Sequence, residues 1–217
     1  MLYEELQLKV LRMLRPVWNR VVSFDLETNV RNLNFLTNER ILAVGLAWRR
    51  GGRFLDSEGV EVKTLLLRED TDVSEMELLR ALGDMLARIK PLCVLGYGIR
   101  QYDIPLIAIK KQHYGERMKA WSEFWKLVDF AESAVHIDLY HILKYKGYRK
   151  FQEALGSDEF SSLPLKRRKG IVTGDRREKA REIYRMWRED KDRLKEYVEG
   201  DVHDALLLAE KIAFRLC

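Results

Sequence analysis

The spacing of apolar positions changes several times along the chain. Leu2, Leu6, Val10, Leu14 and Val17 recur every three or four residues until Pro16 and Trp18 interrupt them, which predicts an amphipathic helix within residues 1–19. Short β-branched or apolar runs follow at 21–27 (VVSFDLE), 41–48 (ILAVGLAW) and 60–67 (VEVKTLLL), separated by Asn-rich or Gly-rich turns, and predict three strands joined by hairpins. From Ser74 to Ile89 the helical period returns through Met76, Leu79, Leu82 and Leu86, with Ser74 as predicted N-cap and Glu77 as its capping-box partner.

Further strands are predicted at 91–97 (PLCVLGY) and 134–140 (AVHIDLY). Helices are expected to open near Ile104 and Pro105, to span about 116–130, to cover HILKYK after the fifth strand, and to run from about 191 to 216. The segment 156–181 carries Gly156, Pro164, Gly170, Gly174 and the run KRRK, and reads as a long basic loop or insertion. Three meandering strands followed by strands alternating with helices predict an α/β architecture, a five-stranded mixed sheet flanked by helices, whose order resembles the ribonuclease H-like fold. A chain of 217 residues without an internal repeat is expected to form one domain over 1–217.

Composition narrows the class. Hydrophobic residues at 47% exclude disorder, and charged residues at 34% exceed the usual quarter, so the expected product is a heavily charged soluble protein. The excess of 39 Lys and Arg over 34 Asp and Glu permits a polyanionic partner without demanding one. Two cysteines, Cys93 and Cys217, cannot build a disulfide framework or a thiolate zinc site, which points to a reducing cytoplasm. No run of 18 apolar residues occurs, so no membrane partner is expected.

The candidate chemistry lies in four acids and one tyrosine. Asp25 and Glu27, at spacing i, i+2, leave the same face of the first strand roughly 6 to 7 Å apart, and repel unless a cation lies between them. The plainer reading of the pair is a solvated strand end. Asp103 follows an apolar strand where the chain turns into a helix, a place where ligand sites collect and where an Asp also serves simply as a cap. Tyr197 and Asp201, at i and i+4, share one flank of the last helix. His203 points elsewhere around that helix, at the surface or behind the site, and Asp204 reads as a solvated charge or a spare ligand. Asp138, closing the fifth strand, reads as a cap or structural acid.

FDLET, YGIRQYD and YVEGD, in this order, resemble the three motifs of the DEDD superfamily of 3′–5′ exonucleases, in its Tyr-containing branch. That branch includes the proofreading domains of family B DNA polymerases and stand-alone DnaQ-like nucleases, and the likeness extends over residues 20 to 215. In the His-containing branch a His lies five positions before the last acid; here that position is Glu196. Polymerase members often carry Asn where this chain has Gly98, so a polar contact is missing or supplied by Gln101 or Arg100.

The resemblance implies that Asp25, Glu27, Asp103 and Asp201 hold two divalent ions, Mg²⁺ or Mn²⁺, and that Tyr197 orients the attacking water. It implies contacts from Leu26, Thr28, Asn29 and Tyr102 to the 3′-terminal nucleotide of a single-stranded DNA substrate. Lys166, Arg167, Arg168 and Lys169, with Arg176 and Arg177, suit phosphate contacts or form a solvated loop. RNA is the nearest alternative substrate, and a non-catalytic single-strand-binding module the alternative from another class. A homo-oligomer and association with replication or repair proteins are further expectations.

Overall fold

The computed structural model of the protein describes residues 3–29, 39–166 and 176–214. Five strands form one mixed sheet: β1 (Val21–Asn29), β2 (Arg40–Arg49), β3 (Val60–Leu66), β4 (Cys93–Gly96) and β5 (Val135–Asp138), in spatial order β3-β2-β1-β4-β5. The first three run antiparallel, while β4 and β5 pair parallel to β1 and to each other. This is the α/β, ribonuclease H-like architecture that the strand pattern predicts.

Helices cover both faces. The helices α1 (Tyr3–Met13), α2 (Asp72–Ile89), α3 (Asp103–Met118) and α4 (Ser122–Glu132) are followed by α5 (Leu139–Tyr145), α6 (Phe151–Leu155), α7 (Arg176–Glu189) and α8 (Lys191–Phe214). Strict alternation along β1 sends Phe24 and Leu26 into one core with Leu79, Leu82, Phe124 and Phe130 of α2 and α4. The opposite face meets α8, whose Val202, Ala205, Leu206 and Ala209 share a second core with α1 and α5. Strand β2 is buried along nearly its whole length, as a strand covered on both sides must be.

An ion pair pins the far end of α8. Glu210, fully buried, accepts from Arg49 Nε at 2.6 Å and Nη2 at 2.8 Å, from Trp18 Nε1 at 2.9 Å and from the Leu55 amide at 3.0 Å. Every oxygen of this carboxylate is satisfied, so removing one partner would strand a buried charge at a cost of about 3–5 kcal/mol. The position of α8 over the sheet is therefore fixed before any ligand is considered.

Four expectations need correction. The N-cap of α2 is Thr71, whose Oγ1 accepts from the Ser74 amide, because Ser74 Oγ is itself engaged by the amides of Arg68 and Glu69. The helical stretch 116–130 divides at 119–121, where Trp121 N bonds Met118 O, into the end of α3 and the start of α4. The buried stripe of α1 and the following turn runs through Gln7, Leu11, Leu14 and Trp18, and Leu6 is exposed, so the predicted face is rotated by about one residue. The segment 156–181 is not one long loop: a 3-10 turn at Asp158–Phe160 buries Phe160, Leu163 is buried too, and α7 begins at Arg176. No helix among the described residues is long and apolar enough to cross a membrane.

Candidate metal centre

The site is built where α8 crosses β1. Asp25 pairs with Gly45 in the β1–β2 ladder, and a Cβ on Gly45 would lie 2.6 Å from Val198 Cγ1 and 2.8 Å from Val202 Cγ1. The bare glycine lets α8 descend to the sheet here. Tyr197 and Asp201, one turn apart beside those valines, are thereby brought over Asp25 and Glu27.

Asp25, Glu27 and Asp201 each present a carboxylate oxygen, all within 4.8 Å of one another. Each keeps partial solvent access at the mouth of a cavity of about 190 Å³, which Tyr197, Tyr97, Phe151, Gln152 and Lys179 also line. Burial, and then the charge of Asp201, push Asp25 up to about 8. Burial raises Asp201 to about 7, against a lowering hydrogen bond from Tyr197. Glu27 is raised well above the carboxylate range by burial, then by Asp25, Asp201 and Asp103, while Lys179 opposes the shift.

Asp103 is the first residue of α3, 4% exposed, and its carboxylate accepts from the amides of Leu26 and of Asp103 itself. Burial and then Asp25 raise it well above the usual range. It sits beside Asp25, but the 4.8 Å group does not extend to it. The Tyr197 phenol donates to Asp201, and burial together with the surrounding acids lifts its ionisation far above the ordinary value, so it stays protonated.

The donor set fits a hard divalent cation. It consists of carboxylate oxygens alone, and Asp25 Oδ2 is buried without a hydrogen-bond partner. A cation there would replace the protons that these acids otherwise need.

The remaining residues singled out in the sequence lie at varying distances from the acids. Thr28 is buried, its Oγ1 2.6 Å from Tyr102 Oη, and Asn29 is half-buried at the end of β1. Leu26 lies in the core on the opposite face of the sheet, so its side chain is not brought to the acids. Lys166 is exposed, and its amide donates to Asp204 Oδ1 at 2.9 Å. Arg167, Arg168 and Lys169 lie outside the described residues, as do the side chains of Arg176 and Arg177. Asp204 is not a solvated charge: it is 2% exposed and bonded to His203 Nδ1 at 2.9 Å. His203 is buried too, with Nε2 3.0 Å from Ser57 Oγ, which ties α8 to the β2–β3 loop.

Sequence reasoning missed Gly45, Lys179, and the wall of Tyr97 and Phe151. It also left open what Asp138 does. Fully buried, Asp138 accepts from the amides of Gly98 at 2.8 Å, Arg100 at 3.3 Å and Tyr140 at 3.0 Å. It caps α5 and holds the loop that delivers Tyr102 and Asp103. Gly98 in that loop has φ +79°, a conformation that Gly adopts freely and Asn tolerates among the other residues.

No protein-family model matches the sequence, and no curated protein matches it. Among solved structures, the chain is similar to the family B DNA polymerase from the hyperthermophilic archaeon Pyrobaculum calidifontis, with a TM-score of 0.59 over 88% of this chain and 18% identity. The chain spans 24% of that polymerase's length. At that identity the likeness is one of fold alone.

Proposed function

We propose that the protein is a 3′–5′ exonuclease of the Tyr-containing DEDD branch, acting on single-stranded DNA. The observation that carries this reading is the convergence of Asp25, Glu27 and Asp201 within 4.8 Å around an unpartnered carboxylate oxygen, with a protonated tyrosine against them.

Asp25, Glu27 and Asp201 would hold one Mg²⁺ or Mn²⁺, and Asp25 with Asp103 a second. When bound, the pair supplies charge that stabilises both the attacking and the leaving oxygen of phosphodiester hydrolysis. The chain's own groups do the rest. Tyr197, kept in the O–H form, accepts from and orients a water for in-line attack on the terminal phosphorus. The bond from phosphorus to the 3′ oxygen breaks, and a nucleoside 5′-monophosphate leaves. Lys179, whose charge already reaches Glu27 and Asp201, is placed to meet the phosphate. A cavity of about 190 Å³ suits one unpaired 3′ end rather than an intact duplex.

The test is a 5′-labelled single strand incubated with Mg²⁺ or Mn²⁺. A ladder shortening from the 3′ end is expected, abolished by EDTA and by Asp25→Ala. No ladder, or one indifferent to both, contradicts the proposal. Matched RNA and DNA oligomers distinguish an exoribonuclease.

A further inference from the structure

On the face of the sheet opposite the acids, two surface cavities flank the last turn of α2. One, of about 270 Å³, has Arg20, Lys90 and Lys126 at its edge over a floor that includes Leu86 and Phe130. The other, of about 480 Å³, has Arg50, Lys63 and Arg88 around Trp48, Met85 and Ile89. The cavities lie side by side on opposite flanks of that turn, Leu86, Ala87 and Lys90 lining one and Met85, Arg88 and Ile89 the other, and together they form a basic groove divided by the helix end.

All six of these cations are exposed. The two carboxylates lining the cavities are both already paired, Glu61 with Arg50 at 3.1 Å and Asp129 with Lys126 at 3.6 Å. Arg49, which also borders the larger cavity, is committed to Glu210. The Lys90 and Arg88 charges also suit the C-terminus of α2, but Lys63 on β3 and Arg20 before β1 are not explained by that dipole. Trp48 pairs with Val22, three residues before Asp25 on β1, so the groove lies on the order of 15–20 Å from the acids by strand rise and layer spacing.

We propose that this groove is a second binding surface for single-stranded nucleic acid, holding a stretch of the strand remote from the reacting end; the assignment rests on the nuclease reading above. Four exposed cations that no lining acid neutralises, Arg20, Lys63, Arg88 and Lys90, complement a phosphodiester backbone. Leu92 and Pro91 in the smaller cavity and Met85 and Ile89 in the larger keep apolar surface open to unpaired bases, which a duplex, with its bases stacked inside, would not use. An acidic peptide is the competing occupant, and it would leave that surface covered by apolar side chains instead.

The experiment measures binding of a fluorescent oligothymidine of about 20 nucleotides to Asp25→Asn protein in EDTA, as a function of salt, so that no hydrolysis intervenes. Lys63→Glu with Arg88→Glu should weaken binding by at least about tenfold and lower the magnitude of the log–log salt slope by about 1.4, at about 0.7 per phosphate contact. Arg12→Glu with Lys144→Glu, equal in charge but off the groove, is the control. Equal losses in both pairs, or none in the groove pair with its melting temperature unchanged, overturn the proposal. So does displacement by a polyglutamate peptide at lower concentration than by unlabelled strand. Hydrolysis by the wild-type protein is scored separately: its absence with groove-dependent binding intact counts against the nuclease reading alone.

Discussion

Gly45 faces Asp25 across the β1–β2 ladder, and the Cβ that it lacks would stand 2.6 Å from Val198 Cγ1. The residue with no side chain thus sets how closely α8 can bring Asp201 to the strand acids. Gly45→Ala should cost about 1–3 kcal/mol through overpacking. It should also reduce the Mn²⁺-induced rise in melting temperature. Denaturation with and without Mn²⁺ reads both effects, and an unchanged Mn²⁺ response would separate Gly45 from the geometry of the acids.

Metal-free protein should lose stability as pH rises. Asp25, raised to about 8, and Asp201, raised to about 7, bind protons in the folded state that the unfolded chain releases near pH 4. Their contribution is therefore complete below about pH 4 and disappears as pH climbs through about 7 to 8. Because both groups keep some contact with water, the change should be on the order of 1–3 kcal/mol. Urea denaturation in EDTA at pH 5 and pH 8.5 should show the loss, and Mn²⁺ should reverse it at the higher pH. Greater stability at pH 8.5 in EDTA would contradict the burial of these acids.

Asp138→Ala should destabilise by about 2–4 kcal/mol, since three backbone amides lose a buried acceptor. Asp138→Asn, which keeps one acceptor oxygen, should recover part of the loss. Equal stability of the alanine variant in chemical denaturation would remove the loop-holding role assigned to Asp138.

If Tyr197 has the role proposed above, Tyr197→Phe should retain Mn²⁺ binding and KM while kcat falls about 10²-fold, because a phenol that orients water does not hold the ion. A parallel loss of Mn²⁺ affinity would instead make the hydroxyl part of the ion's environment.

Much of this was legible in the chain. Five apolar runs become the five strands, since their period-two or fully apolar pattern survives burial on one or both faces of a sheet. Asp25, Glu27 and Asp201 could be selected because their elements bear short, local signatures. Helix α7 was legible only in part: Ile183, Met186 and Trp187 keep helical spacing, but the first turn, from Arg176, falls in the basic stretch 156–181, where no apolar stripe marks it. Thr71 and Ser74 compete for one cap, and the choice depends on which hydroxyl the preceding turn consumes. Gly45 carries no local signal at all, because its neighbours in space, Val198 and Val202, lie more than 150 residues away in the chain.

The most direct measurement is anomalous diffraction from crystals soaked in Mn²⁺. Two peaks about 4 Å apart are predicted, one among Asp25, Glu27 and Asp201 and the other between Asp25 and Asp103. Absence of density at these carboxylates at saturating Mn²⁺, with peaks only elsewhere on the surface, would contradict the account.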